Sequence, residues 1–323
     1  MLKIFLHIIF LFIVIKCDAQ FQSVAIISDS ERDLIPEGIA IDGRTGSIFI
    51  SSIAKQKIIK IDTQGKCKDF ISTNEYGFLE GLGMKVDAKR NLLWAISVKT
   101  ATKLYISQVH AFNLTSGKQE QFYSLKDTLP HMFNDLDIDN EGNLYITDSY
   151  ASAIYFIDTD KKQLALFLKI PETKYPNGIA IGKKNQLYFT SYEHGPVKID
   201  IVSKTATILK GYMDSTVARG LDGLLYFDNY LIGVYNYSAK KNSFDTAVVV
   251  KYVLDEKGAT ITKEEIIDKG NPKFFQPTTA ALTNKRLFVL ANSHLEVYNA
   301  NKQSTKGKED QLTPVTILSY NLQ

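Results

Sequence analysis

The stretches Pro36-Glu37-Gly38-Ile39-Ala40-Ile41 and Pro176-Asn177-Gly178-Ile179-Ala180-Ile181 differ in a single letter. That letter carries a side-chain oxygen in both copies, Glu37 in one and Asn177 in the other. Looser copies stand at Glu80-Gly81-Leu82-Gly83-Met84, Asn134-Asp135-Leu136-Asp137-Ile138, Asp222-Gly223-Leu224-Leu225-Tyr226 and Thr278-Thr279-Ala280-Ala281-Leu282. In each, a polar residue leads and apolar residues come two and four places later. This alternation predicts a strand with one face fixed toward a core.

The residues after each copy recur as well. A polar turn such as Asp42-Gly43 or Asp139-Asn140-Glu141-Gly142 leads into a second strand, as at Ser47–Ser52, Asn143–Ser149 and Gln186–Ser191. A third strand often ends in Asp, as at Ile58–Asp62 and Ile154–Asp158, and a looser fourth comes after it. Tyr, Phe, Ile and Val fill these runs, as strands prefer. Copies return roughly every 40–55 residues, the period of propeller blades. The prediction is an all-β chain, a six-bladed β-propeller with four antiparallel strands per blade. Segments Ser23–Ile27 and Val315–Tyr320 are expected to meet in the last blade and close the ring. The longer second and fifth repeats predict loop insertions there.

Composition sets limits on the rest. With 323 residues, 45% of them apolar, the chain can bury a large core. A formal charge of +3 with no basic stripe disfavours nucleic acid as a partner. Residues 1–19 read as a signal peptide: Lys3, an apolar run from Ile4 to Ile15, then Cys17-Asp18-Ala19 ahead of a cut before Gln20. The run is too short for a membrane span. Lys16 argues against a lipoprotein role for Cys17. Residues 20–323 are then one exported domain, periplasmic or secreted. Cys67 is the sole remaining thiol, so neither an internal disulfide nor a thiolate metal cluster is available.

In a propeller the innermost strand of each blade borders the central channel. The six leading residues Glu37, Glu80, Asn134, Asn177, Asp222 and Thr278 therefore converge at one mouth. Strand periodicity asks for apolar residues behind them but nothing acidic or amidic at the head. Any one of them alone reads as a strand cap or turn residue. Six together would crowd carboxylates in a narrow space, which a hard divalent cation such as Ca²⁺ relieves. No histidine leads a repeat, which disfavours zinc or copper.

Four phrases in order, PEGIAI, MFNDLDIDNEGNLYITDS, PNGIAI and LDGLLYF, resemble the regucalcin/gluconolactonase propellers, also called senescence-marker-protein or LRE-like. Diisopropyl-fluorophosphatase and the paraoxonases are similar. The resemblance spans about Ser23 to Tyr320. It implies one calcium ion held by Glu37, Asn134, Asn177 and Asp222, and a metal-dependent hydrolase of lactones, esters or phosphotriesters. Asp222, Asn134 and Glu80 are then the catalytic candidates. Water activated by Asp222 or Glu80 is one route, and direct attack by Asp222 is the other. A second, structural ion of some relatives is left open, because Gly38 follows Glu37 and only Asp135 is present of the acids it uses. His131-Met132-Phe133 replaces an arginine region that contacts sugar in gluconolactonases, so sugar specificity is not carried over. His131 and Thr278 are candidate pocket residues. The expected partner is a small-molecule ester or lactone, with no nucleic acid and no membrane span, and the expected state is a monomer. The competing function is a non-catalytic binding module with a structural calcium.

One further pattern, Asp137-Ile138-Asp139-Asn140-Glu141-Gly142 ending at Asp148, mimics an EF-hand loop. It ends in Asp rather than Glu and lacks flanking helices, and it aligns with the strand-turn-strand of every other repeat.

Overall fold

A computed structural model of the chain describes residues 24–27, 31–100, 103–236 and 246–322. Its strands form six four-stranded antiparallel sheets. Five of them run in simple sequence order from an inner strand outward. The inner strands of these blades, 1 to 5, are Pro36–Asp42, Glu80–Asp87, Phe133–Ile138, Pro176–Ile181 and Leu221–Phe227. Blade 6 is composite. From the inside outward it runs Ala280–Thr283, Arg286–Leu290, Thr316–Asn321 and then Val24–Ile27. The first strand of the chain thus takes the outermost place, with Val24 opposite Ser319 and Ile27 opposite Thr316. The proposed signal peptide lies outside the described residues. No helix among the described residues is long and apolar enough to cross a membrane.

Strand alternation sorts side chains between two neighbouring blades, not between core and water. In blade 1 every residue of Pro36–Asp42 is buried. Ile39, Ile41, Ile48 and Ile50 pack against Ala281, Phe288 and Leu290 of blade 6. Ala40 and Phe49, on the opposite face, pack against Phe78, Met84 and Leu93 of blade 2. Each of the six blade interfaces holds one such apolar cluster. The wide, buried, β-branched strands are what a both-faces-covered sheet requires.

One expectation about insertions changes. The extra length of blade 2 goes largely into longer strands, Leu92–Lys99, Tyr105–Asn113 and Gln119–Asp127. The insertion that shapes the site is in blade 6, between Leu290 and Thr316, and it carries the short helix Leu295–Ala300. That helix buries Val297 and Tyr298 against Ile35 and Leu312 in a seventh apolar cluster. Part of the long fifth repeat lies outside the described residues.

Candidate active site

Five inner strands carry a bulge near their start. The pairing register slips between Pro36 and Ile39, Gly81 and Met84, Phe133 and Leu136, Pro176 and Ile179, and Leu221 and Leu224. The first bulged residue is therefore Glu37, Leu82, Asn134, Asn177 or Asp222. A bulge re-aims a side chain that would otherwise lie between sheets. The register differs from the expected alignment in one blade. Leu82, not Glu80, occupies the leading position of blade 2. Glu80 precedes it by two and pairs with Val98.

The glycine after the leading residue has its own reason. A Cβ on Gly38 would collide with the backbone carbonyl of Leu82 in the next blade, and one on Gly178 with the backbone of Asp222 and Leu224. Inner strands approach each other closely around the axis, and only glycine permits it there. Hydroxyls then tie consecutive blades together. Ser51 Oγ donates to the Leu82 carbonyl at 2.7 Å, Thr147 Oγ1 to the Asn177 carbonyl at 2.7 Å, and Thr190 Oγ1 to the Asp222 carbonyl at 3.2 Å. Thr278 Oγ1 closes the circle by donating to the Glu37 carbonyl at 3.0 Å.

Glu37, Asn134, Asn177 and Asp222 all line one cavity of about 880 Å³ at the channel mouth. The same four also border the narrow throat beneath it. Each is buried. Asn177 Nδ2 donates to Asp222 Oδ1 at 2.5 Å and to Tyr192 Oη at 3.0 Å. Asn236 Nδ2 donates to Asp222 Oδ2 at 2.5 Å, and Asn134 Nδ2 donates to Ser149 Oγ at 3.1 Å. These bonds use the amide nitrogens of Asn134 and Asn177 and leave their oxygens as further acceptors.

The electrostatics reflect this crowding. Burial, and then the negative charges of Asp222 and Asp135, hold the Glu37 carboxyl well above the usual carboxylate range. Burial is also the main cause that pushes Asp222 up to about 7, against the pull of its Asn177 and Asn236 donors. Glu80, which lines the cavity too, is raised by burial. Raised carboxyl pKa values mean that the metal-free folded state holds protons which the unfolded chain releases. Its stability should therefore fall as pH rises from the ordinary Asp value of 3.8 through about 7. Thermal melts in chelating buffer across that range check this, and a flat profile contradicts it.

The remaining sequence candidates fall elsewhere. Thr278 is fully buried in its tie to blade 1 and does not face the cavity. His131 is also off the cavity wall. Its Nδ1 meets Asp148 Oδ2 at 2.6 Å in the interior. The EF-hand-like acids point to three separate places. Asp137 pairs with Lys85 at 2.8 Å, Asp139 caps its own turn, and Asp148 serves His131. Asp135 borders the throat, and its Oδ2 accepts from the Ile179 N–H at 3.3 Å. Tyr192, Ser149, Asn236 and the wall from the blade 6 helix were not singled out from sequence. Ser149 and Asn236 directly follow the second strands Leu144–Asp148 and Tyr230–Tyr235, a repeat position that carries a signal. The helix carries no repeat signal.

A hard cation fits this donor set. Two buried carboxylates and two amide oxygens, with no neutralising side chain between them, match the oxygen preference of calcium. Among the described residues there is no cluster of three or more His, Cys, Asp or Glu placed to hold a metal.

Comparisons with known proteins agree with the fold. A solved gluconolactonase from Xanthomonas campestris superposes with a TM-score of 0.60 at 12% identity, over 93% of this chain and 89% of its own. A calcium-binding regucalcin from Agrobacterium tumefaciens gives 0.58 at 15%, over 93% and 95%. Virginiamycin B lyase from Staphylococcus aureus gives 0.55 at 15%, over 84% and 82%. At these identities the likeness shows the propeller alone. No curated protein matches the chain by sequence. The family pattern described as the SMP-30/Gluconolactonase/LRE-like region does match, over residues 35–211. That match covers more than half of the chain, with three of the four clustered residues inside it, and the chain belongs to the SMP-30/gluconolactonase/LRE-like family.

Proposed function

We propose that this protein is an exported, calcium-dependent hydrolase of lactones or similar esters, acting at the channel mouth. The observation that carries the reading is the convergence of Glu37, Asn134, Asn177 and Asp222 on one buried, solvent-reachable throat. Family membership supports a lactonase-type reaction.

Glu37, Asn134, Asn177 and Asp222 would hold the ion. When bound, calcium supplies a positive centre that polarises a carbonyl or phosphoryl oxygen and steadies developing negative charge. The protein's own groups do the rest. Asn177 and Asn236 fix the Asp222 carboxylate from both sides, so it presents defined lone pairs to the cavity. Asp222 and Glu80 are the groups able to accept a proton from an attacking water. Tyr192, whose phenol is held well above its ordinary pKa by burial and then by Asp222, stays protonated and donates.

A panel of lactones, aryl esters and phosphotriesters assayed with calcium and with chelator is the test. Turnover with calcium and its loss in chelator are expected. Turnover that persists in excess chelator removes the calcium requirement. Calcium that raises Tm without any turnover favours the non-catalytic binding module instead.

A further inference from the structure

We propose that the cavity takes esters or lactones carrying a cationic substituent, an ammonium or quaternary ammonium group, and disfavours anionic ones. This names the substrate class of the hydrolase reading and rests on it. Four carboxyls, those of Glu37, Glu80, Asp222 and Glu296, line the cavity. Among the described residues that line it, none is Lys, Arg or His. The chain has 38 Lys and Arg against 35 Asp and Glu, so a wall without a base does not follow from composition.

A bound calcium ion would offset Glu37 and Asp222 and leave Glu80 and Glu296 uncompensated. Neither of those two carboxylates has a hydrogen-bond or ion-pair partner among the described residues. Burial raises the Glu80 pKa, and the charge of Lys99 offsets that only in part. Lys99 itself is exposed and is not part of the wall. Half-buried, unpartnered carboxylates in a confined space attract a cation and repel an anion.

Aromatic faces add to this. Tyr150, Tyr175, Tyr192 and Tyr298 line the cavity, and the first three are exposed. Tyr150 is braced edge-on by Tyr105, with ring centroids 6.2 Å apart, and Tyr192 is held by the Asn177 donor to its Oη. Tyr298 lies near Glu80, whose charge adds to burial in raising its phenol pKa. A tyrosine face draws a cation through the ring quadrupole, more strongly as water leaves. The same faces and carboxylates repel an anionic substituent.

The test uses the calcium-saturated protein and three γ-butyrolactones that carry, on the same side-chain methylene, a trimethylammonio group, its neutral isostere tert-butyl, or a carboxylate. Hydrolysis gives kcat/KM, divided by each lactone's rate with hydroxide, and calorimetry with the matching lactams gives binding without turnover. The trimethylammonio compound should exceed the tert-butyl compound by about tenfold in both, with the carboxylate below both. Added salt should shrink that advantage. Glu296→Gln and Tyr175→Leu should each narrow it, with turnover of the tert-butyl lactone near wild type. A tert-butyl or carboxylate lactam that binds as tightly as the trimethylammonio one overturns the proposal. So does an advantage that both substitutions leave unchanged. The expected order in lactam binding without hydrolysis supports the cation preference and removes only the hydrolase reading.

Discussion

Replacing Asp222 with alanine should lower kcat/KM for a lactone substrate by about a thousandfold or more, with the propeller intact. Asp222 supplies one of the two carboxylates of the proposed ion site, and its position between Asn177 and Asn236 is the most tightly bonded in the cavity. Without it, Glu37 is the only anion left in the four-residue set, and calcium affinity should fall together with turnover. The fold should survive because the backbone here is held independently of the side chain. Gly223 N–H donates to the Thr278 carbonyl at 2.9 Å, and Thr190 ties the Asp222 carbonyl. Kinetics, calcium titration calorimetry and far-UV circular dichroism on one preparation separate these effects. A variant with wild-type turnover would falsify the assigned role.

Asp148→Ala should be strongly destabilising, by about 3 kcal/mol, because three groups lose one buried acceptor. Asp148 is completely buried. Its Oδ2 meets His131, and its Oδ1 accepts from the N–H groups of Met132 and Ala151, each at 3.0 Å. Alanine leaves the buried His131 ring and two partly buried backbone N–H groups without that partner. The corresponding drop in Tm is on the order of 10 °C for a chain of this size. Urea unfolding measures the change, and a loss under about 1 kcal/mol would show that the pair contributes little. Asp148→Asn keeps an acceptor for the two backbone groups and should cost less.

The blades and the four strands in each were legible because they repeat; the repeat marked six leading residues, and the resemblance narrowed them to Glu37, Asn134, Asn177 and Asp222, which line the cavity. Repetition exposes whatever the architecture does not need, and an oxygen at the head of a strand is such a thing. The same habit misled at Glu80. Gly81-Leu82-Gly83 offers two glycines, and taking the first as the counterpart of Gly38 shifts the register by two. Packing decides for the second, because Gly83 is the one against Asn134 and Asp135 of the next blade. The blade 6 helix was invisible for the opposite reason. It occurs once, spans only Leu295–Ala300, and is held by Tyr298 and Val297 packing on Ile35, not by a long amphipathic period. His131 and Thr278 carry polar atoms beside the site, yet both spend them on interior contacts that sequence spacing does not reveal.

The outermost strand of blade 6 sets an order of assembly. Among the described residues Val24–Ile27 has no sheet neighbour except Thr316–Asn321, so it stays unpartnered until a strand about 290 residues later in sequence is in place. Five blades can pair their strands with near neighbours while the circle stays open. The latch joins segments about 290 residues apart in sequence, the pairing among the described strands with the greatest loop-closure cost. Closure of the ring is thus the step that fixes all six blades at once.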